Sequence, residues 1–314
     1  MSSYPERAIK QLTEIDFSLA FSDDLSSFVK NRINEYSFKY VELSTRQTDD
    51  LILKVIQTLL SKDILRSGEH RRDQWEFGWR ENLELFLNHP DNIDLLIPKY
   101  FDKYNTIRFL GRFIEPVSEK FELHSLSVIL DWLFDMYLRD VDAVYEFGCG
   151  TGHNLFRVRD INPKAILFGL DWARSSQEII SKIVLNKIDK NMFGLNFDYF
   201  KPNYDINILD NAAIYTVASL EQVGNLWGPF LDYLIMQRPK LCIHIEPISE
   251  LLDENCLIDF LSIKYFERRN YLSGFLEGLK QLERLGKVKI HRAQRTHIGS
   301  LFIEGYSVIV WSPR

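Results

Sequence analysis

The chain has 314 residues, 46% of them hydrophobic and 26% charged, the balance of a globular protein with a sizeable core, which excludes a disordered one. A formal net charge of −6 disfavours a long phosphate backbone as partner, because clustered Lys and Arg hold such partners. No apolar run approaches the roughly 20 residues that span a bilayer, residues 1–7 lack the basic start and apolar core of a signal peptide, and Cys149, Cys242 and Cys256 form no CxxC pair, so the expectation is a soluble, cytoplasmic protein without membrane contact.

Residues 1–139 read as a mainly helical region, with only Gly68 and Gly78 ahead of Gly111. Asp49 and Asp50 suit the positive end of a helix whose apolar face is Ile52, Val55, Ile56, Leu59 and Leu60. The run Asp73–Asn82 sets Trp75 and Trp79 around Gly78 and supports two readings. One is a helix start anchored by aromatic bulk, which the pattern favours; the other is a lid whose aromatics line a substrate pocket. A further helix, Ser125 to Leu138, leads directly into the next region. No repeat or Pro/Gly-rich linker separates the two regions, so the helical part is expected to pack on the C-terminal one.

From residue 143 strands alternate with helices. Val144–Phe147 is a first strand and Ala165–Asp171 a second, and Ser175-x-x-Glu178 has capping-box spacing ahead of Ile179, Ile180, Ile183 and Val184. A weaker strand ends near Asn196–Asp198; Ala212–Ala218 and Lys240–Glu246 are further strands, with a helix carrying Leu226, Phe230 and Leu234 between them. One long helical region is expected from Glu250 to Leu285, stopped by Gly286, and two strands, Lys287–Gln294 and Tyr306–Trp311, close the chain. The alternation predicts an α/β fold with a largely parallel sheet covered on both faces, whose ligands sit beyond the carboxyl ends of the strands. Glu146, Asp171, Asp198, Ser219 and Glu246 fall near those ends.

Glu146-Phe147-Gly148-Cys149-Gly150-Thr151-Gly152 puts an acid just before glycines at every second position. Such a loop lets backbone approach a ligand closely. The acid would repel a phosphate and suits a ligand carrying positive charge and hydroxyls. The dinucleotide fingerprint G-x-G-x-x-G needs a third glycine where this chain has His153. The G-x-G-x-G run, with Asp171 ending strand two, Asp198 ending strand three and Ser219-Leu220-Glu221-Gln222-Val223 after strand four, resembles class I S-adenosylmethionine-dependent methyltransferases over residues 140–314, with Gln222 where His is usual. The resemblance implies a Rossmann-like sheet, mostly parallel with an antiparallel C-terminal hairpin, S-adenosyl-L-methionine as cofactor, and an N-terminal helical cap or substrate lid over 1–139. It also implies that Gly148, Cys149, Gly150 and Gly152 lie along the cofactor and Glu146 faces its methionine end. Asp171 would accept from the ribose hydroxyls and Trp172 lie on the adenine. Asp198 would accept from the adenine amino group, Phe197 or Tyr199 pack on the ring, and Ser219 complete the site.

Methyl transfer from a sulfonium has a good leaving group, so the protein mainly orients the acceptor and excludes water. A hydroxyl acceptor also needs a base. The candidates are Glu246 with His244, two apart on one strand face, Glu221, and His297 in the loop between the last strands. His244 also fits a core histidine, and Glu221 a first-turn helix acid. No spacing of acids and histidines completes a metal site, so no metal is expected. Of Arg268, Arg269 and Arg295, any of which could meet an anionic substrate, at least two read as surface charge. The expectation is a small-molecule acceptor, such as a sugar or natural-product intermediate, with oxygen slightly favoured as the acceptor atom and no nucleic acid. The rivals are a protein or peptide methyltransferase, a non-catalytic cofactor-binding module, and a nicotinamide dehydrogenase. Oligomeric state has no signature in the sequence.

Overall fold

The computed structural model describes residues 7–314; residues 1–6, on which the signal-peptide expectation rests, lie outside the described residues. The N-terminal part comprises β1 (Ile9–Gln11), α1 (Glu14–Phe21), α2 (Ser27–Glu35), β2 (Lys39–Glu42), α3 (Thr45–Leu60), α4 (Arg72–Asn88), β3 (Ile107–Phe109), β4 (Arg112–Pro116) and α5 (Phe121–Tyr137). It is therefore not purely helical. β1, β2, β4 and β3 pair antiparallel in that order, and the β3–β4 turn uses positive φ at both Leu110 and Gly111, the combination that matches strand twist in a two-residue hairpin. Two of its helices, α2 and α3, start at side-chain caps. Ser26 accepts from the Val29 amide at 3.3 Å, and Ser44 and Gln47 form a reciprocal capping box that begins α3 at Thr45, ahead of the expected Asp49.

The second part comprises β5 (Ala143–Phe147), α6 (His153–Ile161), β6 (Ile166–Asp171), α7 (Arg174–Leu185), β7 (Met192–Asn196), β8 (Ala212–Val217), α8 (Gly228–Gln237), β9 (Leu241–Glu246), α9 (Leu257–Arg269), α10 (Phe275–Arg284), β10 (Val288–Gln294), β11 (Ile298–Ser300) and β12 (Ser307–Pro313). Seven strands form one twisted sheet in the order β10-β12-β9-β8-β5-β6-β7. β7, β6, β5, β8 and β9 run parallel, while β12 is antiparallel to both β9 and β10. This is the doubly wound, Rossmann-like α/β sheet with a C-terminal antiparallel pair that the sequence predicts. Strand order reverses at β5, and the glycine loop leaves that strand's carboxyl end, where such sheets bind ligands.

Two expectations change. The predicted helix from Glu250 to Leu285 is two helices, because Asn270 adopts a left-handed conformation that ends α9 and Gly274 opens α10; Gly286 does close α10. The closing strands are joined by more than a loop. Between β10 and β12 the chain leaves the main sheet, and β11 pairs with β3 as the fifth strand of the N-terminal sheet. Arg295, at the start of that excursion, holds Asp259 and Glu304 in a part-buried ion-pair cluster. α5 lies between the two parts with most of its residues buried, and its Asp131 takes two 2.8 Å bonds from Arg157 of α6.

Candidate cofactor and acceptor site

At the end of β5 the loop is held against β6. Gly148 and Cys149 amides donate to the Leu170 carbonyl at 2.7 and 3.0 Å, and the Gly150 amide donates to Asp171 Oδ2 at 2.9 Å. Gly148 and Gly150 have φ of 67° and 54°. A Cβ at Gly148 would stand 2.4 Å from Ser219 Cβ, and one at Gly150 would stand 2.8 Å from Trp79 Cζ2. Both positions thus need glycine for conformation and for space.

Asp171 receives the Ala173 amide on its other oxygen at 2.8 Å, and burial pushes its carboxyl up to about 6 against those two amides. Glu146 accepts from Asn154 Nδ2 at 2.8 Å on one oxygen, while its buried Oε2 makes no hydrogen bond of good geometry and has as a polar neighbour the Tyr215 hydroxyl, likewise unpaired. Desolvation pushes Glu146 up to about 8, so it is neutral at pH 7 until a cation arrives.

These groups border a cavity of about 800 Å³. Glu146, Gly148, Cys149, Gly150, Asp171, Trp172, Tyr199 and Ser219 all reach it. The remaining predicted cofactor residues lie elsewhere. Gly152 is the N-cap of α6. Phe197 is buried against Phe147, Phe230 and Tyr233. Asp198 is ion-paired with Arg72 and accepts from the Phe200 amide at 2.9 Å, while the Arg72 guanidinium covers the Trp172 ring at 5.0 Å.

The proposed bases separate in the same way. Glu246, fully buried, accepts from the amides of Ser219, Leu220 and Glu221 at 3.1, 3.0 and 3.1 Å and does not border the cavity. It shapes the turn after β8 instead of facing a substrate. His244 lies between Thr216 Oγ1 at 3.0 Å and the Trp311 indole N–H, also at 3.0 Å; burial holds its pKa at about 3, a neutral core histidine. His297, at positive φ beside the β3–β4 turn, gives its carbonyl to the Leu110 amide and is 4.0 Å from Glu304, away from the cavity. Glu221 alone of the four borders the cavity. Its Oε1 accepts from Gln222 Nε2 at 2.8 Å, and burial, then the nearby Glu246, push it up to about 8.

A helix does start at Asp73–Asn82, as α4, and the same run also reaches the cavity. Trp75 and Trp79, four apart and hence on one helix face, stack at 5.5 Å and both border the cavity. Glu76 accepts from the Ser175 amide and hydroxyl at 3.2 and 2.6 Å. The cap of α7 therefore comes from α4, and not from the Ser175/Glu178 box that the local spacing suggests; Glu178 pairs with Arg174. Residues that the sequence does not single out also border the cavity, including Tyr100, Tyr104, Tyr265 and Tyr306, from segments whose approach to the loop has no local signature. Half-buried His153, lowered to about 3 by desolvation, is there too as a neutral ring. Among the described residues no group of three or more His, Cys, Asp or Glu is placed to hold a metal ion, and no helix is long and apolar enough to cross a membrane.

No family model matches this chain, and no curated protein does. Among solved structures it is similar to an O-methyltransferase from neocarzinostatin biosynthesis, solved with S-adenosylmethionine and 2-hydroxy-5-methyl naphthoic acid, at 11% identity and a TM-score of 0.41, over 60% of this chain and 57% of that one. It is similar to the small RNA methyltransferase HEN1 at 14% identity and a TM-score of 0.46, over 66% of this chain but only 28% of that one. Human N-acetylserotonin methyltransferase, solved with S-adenosylmethionine, gives 13% identity and a TM-score of 0.41 over 63% and 56% of the two chains. The matched part thus falls short of two thirds of each of these three proteins. These three structures are all methyltransferases.

Proposed function

We propose that this chain is an S-adenosylmethionine-dependent methyltransferase acting on a small molecule. One observation carries the reading: a glycine loop closed against its neighbours, with the orphaned Glu146 oxygen on one side and the Asp171 carboxylate on the other, all on one cavity. These residues fit the cofactor. Asp171 would accept from its ribose hydroxyls, Glu146 would meet its cationic end, and Trp172 and Tyr199 would pack on the base. When bound, it supplies an electrophilic methyl group on a sulfonium.

The chain's own contribution is enclosure, orientation and proton handling. Trp75 and Trp79 exclude water over the loop. Glu221 replaces Glu246 as the base for a hydroxyl acceptor, because it borders the cavity and its raised pKa makes it a strong proton acceptor once ionised. A cavity of about 800 Å³ suits a small acceptor better than an extended chain, and the net charge of −6 argues in the same direction against nucleic acid.

Two outcomes test this. Glu146 is neutral at pH 7 in the free protein, and a cation beside it favours ionisation, so cofactor binding at pH 7 should release about one proton. Calorimetry in buffers of different ionisation enthalpy reads that number, and Glu146→Gln should abolish the release; an unchanged release would remove Glu146 from the cofactor site. Separately, Glu221→Gln should slow turnover of a hydroxyl acceptor by about 10²–10⁴-fold with cofactor affinity unchanged. Wild-type rates in that variant would exclude Glu221 as the base.

A further inference from the structure

The cavity is also bordered by two guanidinium groups that the cofactor reading does not use, Arg71 and Arg269. Arg71 ends a short 3-10 turn just ahead of α4, and Arg269 is the last residue of α9. The segments are joined by backbone. The Ser67 amide donates to the Arg269 carbonyl at 2.7 Å, Asn270 Nδ2 donates to the Ser67 carbonyl at 3.2 Å, and Arg268 Nη2 donates to the Ser61 carbonyl at 2.5 Å. The two side chains are thus held on a shared frame.

Enclosed Arg157, Arg159 and Arg295 meet carboxylates, Asp131, Asp189, and Asp259 with Glu304, whereas buried Arg108 spends its donors on the Ile258 and Leu301 carbonyls and the Ser262 hydroxyl. Arg71 and Arg269 meet none among the described residues. Arg71 donates to neutral partners, Gln74 Oε1 at 3.0 Å and Gln222 Oε1 at 3.1 Å, and lies 5.2 Å over the Trp75 ring. Arg269 lies 5.1 Å over the Tyr271 ring, and its buried Nε has no hydrogen-bond partner. The two are within Coulombic range of each other; burial first and Arg269 next lower the Arg71 pKa, whereas at Arg269 the lowering by burial is outweighed by Tyr271, Tyr265 and Glu221, which raise its pKa. Glu221 interacts with both through space but forms no ion pair with either, and burial first and Glu246 next raise its carboxyl to about 8, which favours its neutral form at pH 7. Two partly desolvated like charges with donors to spare are costly unless an anion joins them.

We infer that the acceptor carries an oxyanion, a carboxylate or a phosphate, which Arg71 and Arg269 bind together, on a flat unsaturated body packed among Trp75, Tyr100, Tyr104 and Tyr265. Planar guanidiniums suit both oxyanions, and aromatic walls suit a flat body. The inference rests on the methyltransferase reading for the word acceptor, but its anion site is tested independently.

The experiment uses the full chain saturated with S-adenosylhomocysteine, titrated with benzoate, phenyl phosphate and neutral benzamide while tryptophan fluorescence is followed. At least one anion should bind about tenfold or more tighter than benzamide. Arg269→Gln should lower anion affinity by about tenfold or more, Arg269→Lys should keep part of it, and neither should change affinity for S-adenosylhomocysteine. Equal binding of anions and benzamide, no anion binding, or an unaffected Arg269→Gln variant would overturn the inference. So would an equal loss in the Gln and Lys variants, or a loss of S-adenosylhomocysteine affinity matching the loss of benzoate, which would assign the pair to the cofactor. If S-adenosylhomocysteine does not bind the wild-type chain, the methyltransferase reading is what fails, and the same titrations on the free protein decide the anion site.

Discussion

Replacing Glu246 by alanine is expected to lower folding stability by about 3–5 kcal/mol, read from urea unfolding, whether or not cofactor is present. Three amides of the turn after β8 donate to this one carboxyl group, which is fully buried. Truncation leaves all three buried donors without a protein partner, at about 1–3 kcal/mol each and not fully additive. The pH dependence gives a second readout. Burial raises the carboxyl from 4.5 to about 7, so its titration-linked contribution is fully present below about 4.5 and is lost as pH rises through about 7. The wild-type chain should carry that slope, and the alanine variant should lack it. A Glu246→Ala protein as stable as wild type, but inactive, would restore Glu246 as a catalytic base.

Gly148→Ala should reduce affinity for S-adenosylmethionine by about 100-fold or more. The position combines φ of 67° with a Cβ that would lie 2.4 Å from Ser219 Cβ and 2.9 Å from the Tyr199 hydroxyl. A left-handed conformation costs a non-glycine residue about 1–2 kcal/mol, and overpacking typically adds about 1–3 kcal/mol. Because Ser219 meets the added carbon with its own Cβ, rotating a side chain does not relieve the clash; the loop or the β8 turn must move. Gly286→Ala is the control. Its φ of 72° is similar, but nothing lies within 4 Å of the added carbon, so it should lose about 1 kcal/mol of stability and no cofactor affinity. Equal effects of the two substitutions on binding would mean that the glycine loop does not contact the cofactor.

What the sequence made legible depends on range. The five parallel strands of the main sheet have apolar runs and turn residues that repeat locally, so their alternation with helices and the position of Asp171 at a strand end could be read. The N-terminal sheet could not. Its strands are three to five residues long, and its β11 (Ile298–Ser300) pairs with the distant β3 (Ile107–Phe109), with the whole main sheet's chain between them except its last strand. Glu246 shows the same limit within one residue. An acid at a strand tip reads as functional, yet whether it faces a cavity or three amides is set by the turn after a different strand. The cavity wall was half legible: Trp75 and Trp79 share a helix face by spacing, and Tyr265 and Arg269 do so on α9. Only the fold brings those faces to one cavity. The cap of α7 illustrates the competition, since Glu76 of α4 takes the Ser175 amide that a local box would have used.

Calorimetric titration of the full chain with S-adenosylmethionine and NAD in parallel tests the central claim most directly. The glycine loop with Glu146 and Asp171 predicts binding of S-adenosylmethionine at micromolar concentrations, with about one proton released at pH 7, and none of NAD. Binding of NAD without S-adenosylmethionine would contradict it, and would return the glycine loop to the dinucleotide class that His153 argues against.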